Sequence, residues 1–369
     1  MAEETESKSF TDLLNEVVYK GICGQCGGCV SFCLAADLSV LKFGDDGHPC
    51  YIREDDCLKD GICYMICPHS KDLDEELAKT FRWTPPIGHF KRITVAQAVD
   101  PEIKRVATDG GVVTALLAHL LENGVINGAL VAKKVGPFAR EPSLVRTRRE
   151  LIESAGFYFL HSEHLGLLGE KYTTYTPMLS SIKGMGGTPN ARLAFVGVPC
   201  QIRTIRKMQL LKVLPAHTIT FIIGLFCWEN FMFEDLFADR ANQDRLKVDF
   251  SQVKKLNIKD DFIITLSSGK VVHIPFDEVD KYARPACLAC TEFSNDFADL
   301  SVGGLAVPDG YTTIVLRSDA AVKALRGAVK SGDVRELKAP ADLIYSAIVE
   351  HTEKKQKRGH KRLAELGCL

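Results

Sequence analysis

Eight of the chain's 13 cysteines fall between Cys23 and Pro68, and seven of them form two evenly spaced runs. The first run is Cys23-x2-Cys26-x2-Cys29-x3-Cys33. The second, Cys57-x2-Asp60-x2-Cys63-x3-Cys67-Pro68, keeps that spacing with an aspartate in second place. Spacing of this kind lets a short loop deliver several thiolates to an iron–sulfur cluster. Residues 18–75 lack a long apolar periodicity, so this segment is expected to depend on metal–thiolate bonds rather than on a side-chain core. Zinc ribbons pair two separate CxxC units, which the unbroken CxxCxxCxxxC run does not.

In two-cluster bacterial ferredoxins the last cysteine of each run crosses to the other cluster. Carried over residue by residue, one cluster takes Cys23, Cys26, Cys29 and Cys67, and the other takes Cys57, Asp60, Cys63 and Cys33. A proline would usually follow the last cysteine of the first run; Leu34 stands there. Asp60 leaves two readings open. Either its carboxylate, a harder ligand than thiolate, serves a differently tuned four-iron cluster or leaves a three-iron one; or it faces solvent, and Cys50 fills the place or is merely buried.

A length of 369 residues with 46% hydrophobic side chains suggests about two domains. The expected division is a ferredoxin-like domain with an N-terminal arm over residues 1–80, a linker over 81–88 containing Trp83-Thr84-Pro85-Pro86-Ile87-Gly88, and a larger domain over 89–369. Acidic and polar residues open the chain where a signal peptide would be basic and then apolar. The longest apolar stretch, 218–233, is broken by Thr220, Gly224, Glu229 and Asn230, too early for a membrane span. The expectation is a cytoplasmic protein with reduced thiols, able to dock peripherally on a membrane complex. A formal net charge of −1 with mixed signs argues against a nucleic-acid partner. The run Lys354-Lys355-Gln356-Lys357-Arg358 is read as a solvated helix face.

Beyond the linker, helical and extended patterns alternate. Helices are expected over 111–123, ending at Asn123-Gly124, and over 202–212 and 319–331. Strands are expected over 128–133, 192–198, 218–226 and 262–266. The fold class is therefore α+β, a mixed α/β body with a small N-terminal iron–sulfur domain. Cys200 and Cys227 each follow an apolar strand, where strand ends present residues to a common site, and Cys287 and Cys290 form a CxxC. Spacing alone allows one metal site or independent buried cysteines. Gly110 and Gly111 open a helix whose free N–H groups suit a phosphate, although plain turn chemistry accounts for a glycine pair as well. No GxGxxG fingerprint supports a Rossmann dinucleotide site.

Five segments together, TDGGVVTALLAHLLENGVINGALV, GEKYTTYTPMLSSI, RLAFVGVPCQIRTIRKM, IGLFCWENF and RPACLACTEFSNDFADLSVGG, closely resemble the family of beta subunits of coenzyme F420-reducing hydrogenases and dehydrogenases. The resemblance runs from about Lys91 to about Arg317. It implies an FAD in the large domain with F420 bound against its ring, and a third cluster, [4Fe–4S], on Cys200, Cys227, Cys287 and Cys290. It implies cofactor contacts at Thr108, Gly110, Gly111, Thr114, Lys171, Pro199 and Gln201. Asp109 stands where the family motif usually has serine. The activity implied is hydride exchange between F420 and FAD with single electrons relayed through clusters. The partner would be a subunit of a hydrogenase, formate dehydrogenase, heterodisulfide reductase or F420H2 dehydrogenase complex. Two alternatives remain: a flavin reductase fed by ferredoxin instead of F420, and an electron-transfer subunit without enzymatic activity.

Overall fold

The computed structural model describes residues 8–134, 140–156, 190–232, 252–258 and 261–368. Two short strands, β1 (Leu41–Phe43) and β2 (Pro49–Tyr51), pair as an antiparallel hairpin in the N-terminal segment. The body is built on an eight-stranded sheet of β3 (Arg92–Ala98), β4 (Gly128–Lys134), β5 (Arg140–Val145), β6 (Leu193–Gly197), β7 (Ile219–Leu225), β11 (Leu300–Gly303), β12 (Thr312–Leu316) and β13 (Val334–Leu337). A separate three-stranded antiparallel sheet is formed by β8 (Val253–Ile258), β9 (Asp261–Leu266) and β10 (Val271–Pro275).

Strand order in the large sheet is β13-β3-β12-β11-β7-β6-β4-β5. The middle of it, β11-β7-β6-β4, is parallel, and the flanking pairs are antiparallel. Both faces of the parallel strands are covered, as their near-continuous apolar sequences require. Alternation along each strand sorts side chains to the two faces. Ala129, Val131, Ala194, Phe221, Ile223 and Ile314 pack with the helices Val112–Glu122 and Asp319–Ser331. On the other face Leu130, Phe195 and Ile222 meet Ile202 and Ile205 of the helix Pro199–Leu210. Val95 and Val315 meet Ile344 and Ile348 of the C-terminal helix, Ala341–Glu365. The strands and helices expected from the sequence appear at these places, with ends shifted by a few residues. The largest shift is at Pro199–Leu210, which begins earlier because Pro199 supplies a preset first helical turn.

One expectation is corrected. The N-terminal segment does build a side-chain core, because the arm supplies Phe10, Leu13 and Val17 to pack with Val30, Val40, Leu41 and Phe43. Residues 83–88, in the expected linker, make contacts with the body. Ile87 is buried, Trp83 Nε1 donates to Asp296 at 2.7 Å, and buried Arg317 donates to the Ile87 and His89 carbonyls at 2.7 and 3.1 Å.

Candidate redox site

The two cysteine runs trace the same backbone. Gln25 and Gly27 have φ of 52° and 79°, and their counterparts Lys59 and Gly61 have 53° and 76°. Each glycine opens a helix, Gly28–Ala35 or Ile62–Met65, whose second residue is the third ligand position, Cys29 or Cys63. Left-handed backbone at a non-glycine costs about 1–3 kcal/mol, so this repeated loop shape is an imposed one. Asp60 sits where Cys26 sits in the first loop.

Cys23, Cys26, Cys29, Cys63 and Cys67 line one cavity. Burial raises the Cys29 thiol, and Cys26 and Cys23 raise it further; burial, then Cys26, push Cys67 up to about 12. Cys63 is likewise pushed up to about 12 by burial, with Asp60, Cys57 and Cys33 among its charged neighbours. Cys33 in turn feels Cys57 and Asp60. Asp60 is exposed and accepts the Ile62 N–H at 3.0 Å. Cys50 lies opposite Lys42 on the β1–β2 hairpin, and Lys42 is exposed where Leu41 and Phe43 are buried. Cys50 therefore points to the face away from Phe43 and Pro49, which line the cavity. Its charged neighbours are Lys42, Asp46 and Asp45.

Of the remaining five cysteines, Cys368 packs on the N-terminal core and four lie at the sheet body. Cys200 is in the first turn of the helix after β6, Cys227 follows β7, Cys287 lies within the short helix Pro285–Leu288, and Cys290 follows that helix. Burial pushes Cys227 up to about 12, with Cys287 and Cys290 adding to it and Lys355 opposing. Cys200 touches the other end of the array: its Sγ is 3.8 Å from where a Cβ on Gly24 would lie. Cys26 Sγ is 3.5 Å from Thr204 Oγ1, one turn further along the same helix. Buried Arg284 acts electrostatically on both Cys23 and Cys287. The two cysteine groups are thus neighbours.

The donor set fits iron–sulfur clusters. All the cysteines are free of disulfides, and their buried thiols can ionise only beside a strong cation. Among the described residues no three His, Cys, Asp or Glu side chains converge to hold a single metal ion. A four-iron cluster asks for something else, one thiolate at each corner of a cavity. His69 Nε2 is buried in the wall of the first cavity without a hydrogen-bond partner, and burial, then Arg203 and Lys207, lower its pKa to about 4.

Sequence reasoning missed the buried cations, and one expectation is overturned. The Lys354–Arg358 run is not a solvated face: Lys355 is 1% exposed, and Arg358 pairs with buried Glu229 at 2.6 Å. The signal was present in the stripe Ile344, Ile348, Thr352, Lys355 and Gly359, all buried at helical spacing. Lys207, fully buried, donates to the Cys67 and Ser70 carbonyls at 2.9 and 2.8 Å and pairs with Asp74 at 3.1 Å.

The glycine pair at 110–111 lies at the edge of the sheet where β11 ends. Gly110 is pressed against the sheet, since a Cβ there would lie 2.8 Å from the Ala96 carbonyl oxygen and 2.9 Å from Thr312 N. Its N–H donates to Thr312 Oγ1 at 3.0 Å, so it is not the free donor expected from the sequence. Asp109 packs against Gly304, just after β11. Gly111 caps the helix Val112–Glu122, which contains Thr114, and Thr108 precedes Asp109 in the same loop. Pro199 is buried, and Gln201 Oε1 accepts the Val198 N–H at 3.0 Å, a helix-capping role. Lys171 lies outside the described residues. The loops after β3, β6, β7 and β11 all emerge at this edge, the end where open α/β sheets bind ligands.

Residues 93–169 match the model of the coenzyme F420 hydrogenase/dehydrogenase beta subunit N-terminal region, and residues 190–342 match that of its C terminus. The chain belongs to this family of beta subunits. It is 30% identical over 292 residues to the coenzyme F420 hydrogenase subunit beta of Methanosarcina barkeri, covering 75% of this chain and 94% of that one. It is 25% identical to an F420H2 dehydrogenase subunit of Methanosarcina mazei over 82% of this chain and 81% of the relative. It also resembles, at 29% identity over 83% of this chain, 46% of the coenzyme F420-dependent sulfite reductase of Methanocaldococcus jannaschii. A chain of the F420-reducing [NiFe] hydrogenase complex from Methanosarcina barkeri superposes with a TM-score of 0.66 at 26% identity, covering 77% of this chain and 94% of that chain. The fold of this family is therefore the mixed α/β body described above. Among the described residues no helix is long and apolar enough to cross a membrane.

Proposed function

We propose that this family member is an F420-linked oxidoreductase subunit that divides a hydride pair into single electrons and passes them to or from a partner subunit. The observation that carries the reading is the contact of Cys200 with the Gly24 position. It joins the cysteines of the sheet edge to the first cysteine run, and Cys63, at the wall of the first cavity, leads on to Cys57, Asp60 and Cys33. When bound, FAD supplies the exchange between hydride and single electrons, and three iron–sulfur clusters supply one-electron relay.

The chain's own part is holding and shielding. Thr108, Gly110, Gly111, Thr114, Pro199 and Gln201 frame the FAD at the sheet edge, with Lys171 a further contact carried by the family motif. Gly110 does so through close backbone packing and Gln201 by fixing the turn that presents Cys200. Cys200, Cys227, Cys287 and Cys290 hold the third cluster, Cys23, Cys26, Cys29 and Cys67 the first, and Cys57, Asp60, Cys63 and Cys33 the second. The ferredoxin-like unit spans residues 1–80 and the flavin and F420 unit residues 89–369, joined through the packed 81–88 segment. No side-chain nucleophile is needed, because orientation of two planar rings and exclusion of water carry the hydride step.

Anaerobic mixing with reduced F420 tests this. The account expects the bound flavin absorbance to bleach, followed by reduced-cluster EPR signals. A flavin that stays oxidised with reduced F420 but bleaches with reduced ferredoxin would replace F420 as the donor, and a chain that binds no flavin would leave only electron transfer.

A further inference from the structure

Lys355 is a buried ammonium. It is 1% exposed, and its Nζ donates to the Cys227 carbonyl at 2.6 Å. Among the described residues no carboxylate oxygen lies within 4.0 Å of that nitrogen. Burial of a charge in this way is strongly disfavoured unless an opposite charge stands beside it. Lys207 shows how the same chain satisfies a buried lysine unaided, with two carbonyls and Asp74 around Nζ. Lys355 has no such set, and a second cation, Arg358, lies one turn further along its helix.

What surrounds Lys355 is cysteine. Cys290, Cys227 and Cys287 are the groups that act on it electrostatically in favour of its charge. The helix that carries it is held close over them: a Cβ on Gly359, one turn on, would lie 2.7 Å from the Cys290 carbonyl oxygen. Glycine at 359 lets the helix approach, and the approach sets Nζ beside the thiol group. A four-iron cluster on four thiolates carries net negative charge and gains more on reduction, so a fixed cation beside it favours the reduced form.

We propose that Lys355 is the built-in counter-charge of the cluster held by Cys200, Cys227, Cys287 and Cys290, raising its reduction potential, with Gly359 permitting the close approach that places it. This rests on the reading that those four cysteines hold a cluster. Lys355 is a positioning and tuning residue, since it touches the protein around the cluster and takes no part in hydride exchange.

The test is a potentiometric EPR titration of the holoprotein, full chain, with iron and sulfide counted in each sample. In Lys355→Met the third cluster should be harder to reduce, with a reduced-to-oxidised ratio about tenfold lower at fixed potential, or about 59 mV for one electron. The potentials of the clusters on the two N-terminal runs should stay in place. Lys355→Gln keeps a donor for the Cys227 carbonyl and should shift the third cluster equally, while Lys355→Arg should restore it. Loss of this cluster from both neutral variants but not from Lys355→Arg also supports the assignment. An unmoved potential with the cluster intact, or loss of the cluster from all three variants alike, overturns it in favour of a packing role. A wild-type protein with no third cluster signal overturns the functional reading underneath as well.

Discussion

The two cysteine runs share a loop and differ in everything around it. The first is pressed against the body, where Cys26 meets Thr204 and Gly24 meets Cys200; of the second, only the end is held there, by Lys207 donating to the Cys67 carbonyl. The first half of the second is open, with Glu54, Asp55, Asp56, Leu58, Lys59 and Asp60 all exposed, while Cys63, Tyr64 and Ile66 beyond it are buried. One backbone template thus serves two settings, an inner one against the sheet body and an outer one facing solvent. The missing thiolate falls in the outer loop, where water can reach the site and a carboxylate is least costly to keep charged.

The largest expected effect comes from breaking the inner site. Cys67→Ala removes a thiol that lines the first cavity, and iron and sulfide should fall by roughly four each per chain with loss of one EPR signal. Loss from the second site instead would reverse the assignment of crossing ligands. Lys207→Met strips the cation from the Cys67 and Ser70 carbonyls and from Asp74, which keeps Arg203 as a partner. It should lower chemical-denaturation stability by about 2–3 kcal/mol, and an unchanged midpoint would show that the end of the second run is not anchored through this residue.

Smaller effects sharpen the outer site. Asp60→Cys should abolish any three-iron EPR signal and slow loss of the second cluster in air, because the repeated loop already holds the position for a thiolate. No change in either property would mean that this loop does not face the cluster. Cys50→Ser should leave iron, sulfide and spectra as they are, since Cys50 lies on the hairpin face away from the cavity; a lost cluster would make Cys50 the missing ligand.

Much of this was legible in the residues. Period-two and helical patterns located β4, β6, β7 and β9 and the helices at 112–122 and 319–331 because each of these elements buries its own contiguous face. Cysteine spacing announced both runs, and strand ends announced Cys200 and Cys227. What stayed hidden depends on partners far apart in sequence. Lys355 looks like one of several surface cations until the C-terminal helix is laid over Cys227 and Cys290, and Gly110 looks like a phosphate donor until Thr312 takes its N–H. The arm's contribution to the N-terminal core was hidden for the same reason, since Phe10 and Val40 belong to no common local period.

The account's central claim is that the two runs and the sheet-edge cysteines hold three distinct clusters beside a flavin. Anaerobically purified protein, measured for iron, acid-labile sulfide and FAD together with EPR of its oxidised and reduced forms, tests this most directly. The account predicts one FAD and roughly twelve irons per chain, or roughly eleven with a three-iron signal from the Asp60 site. A count of roughly four irons would contradict it, leaving the two N-terminal runs without clusters.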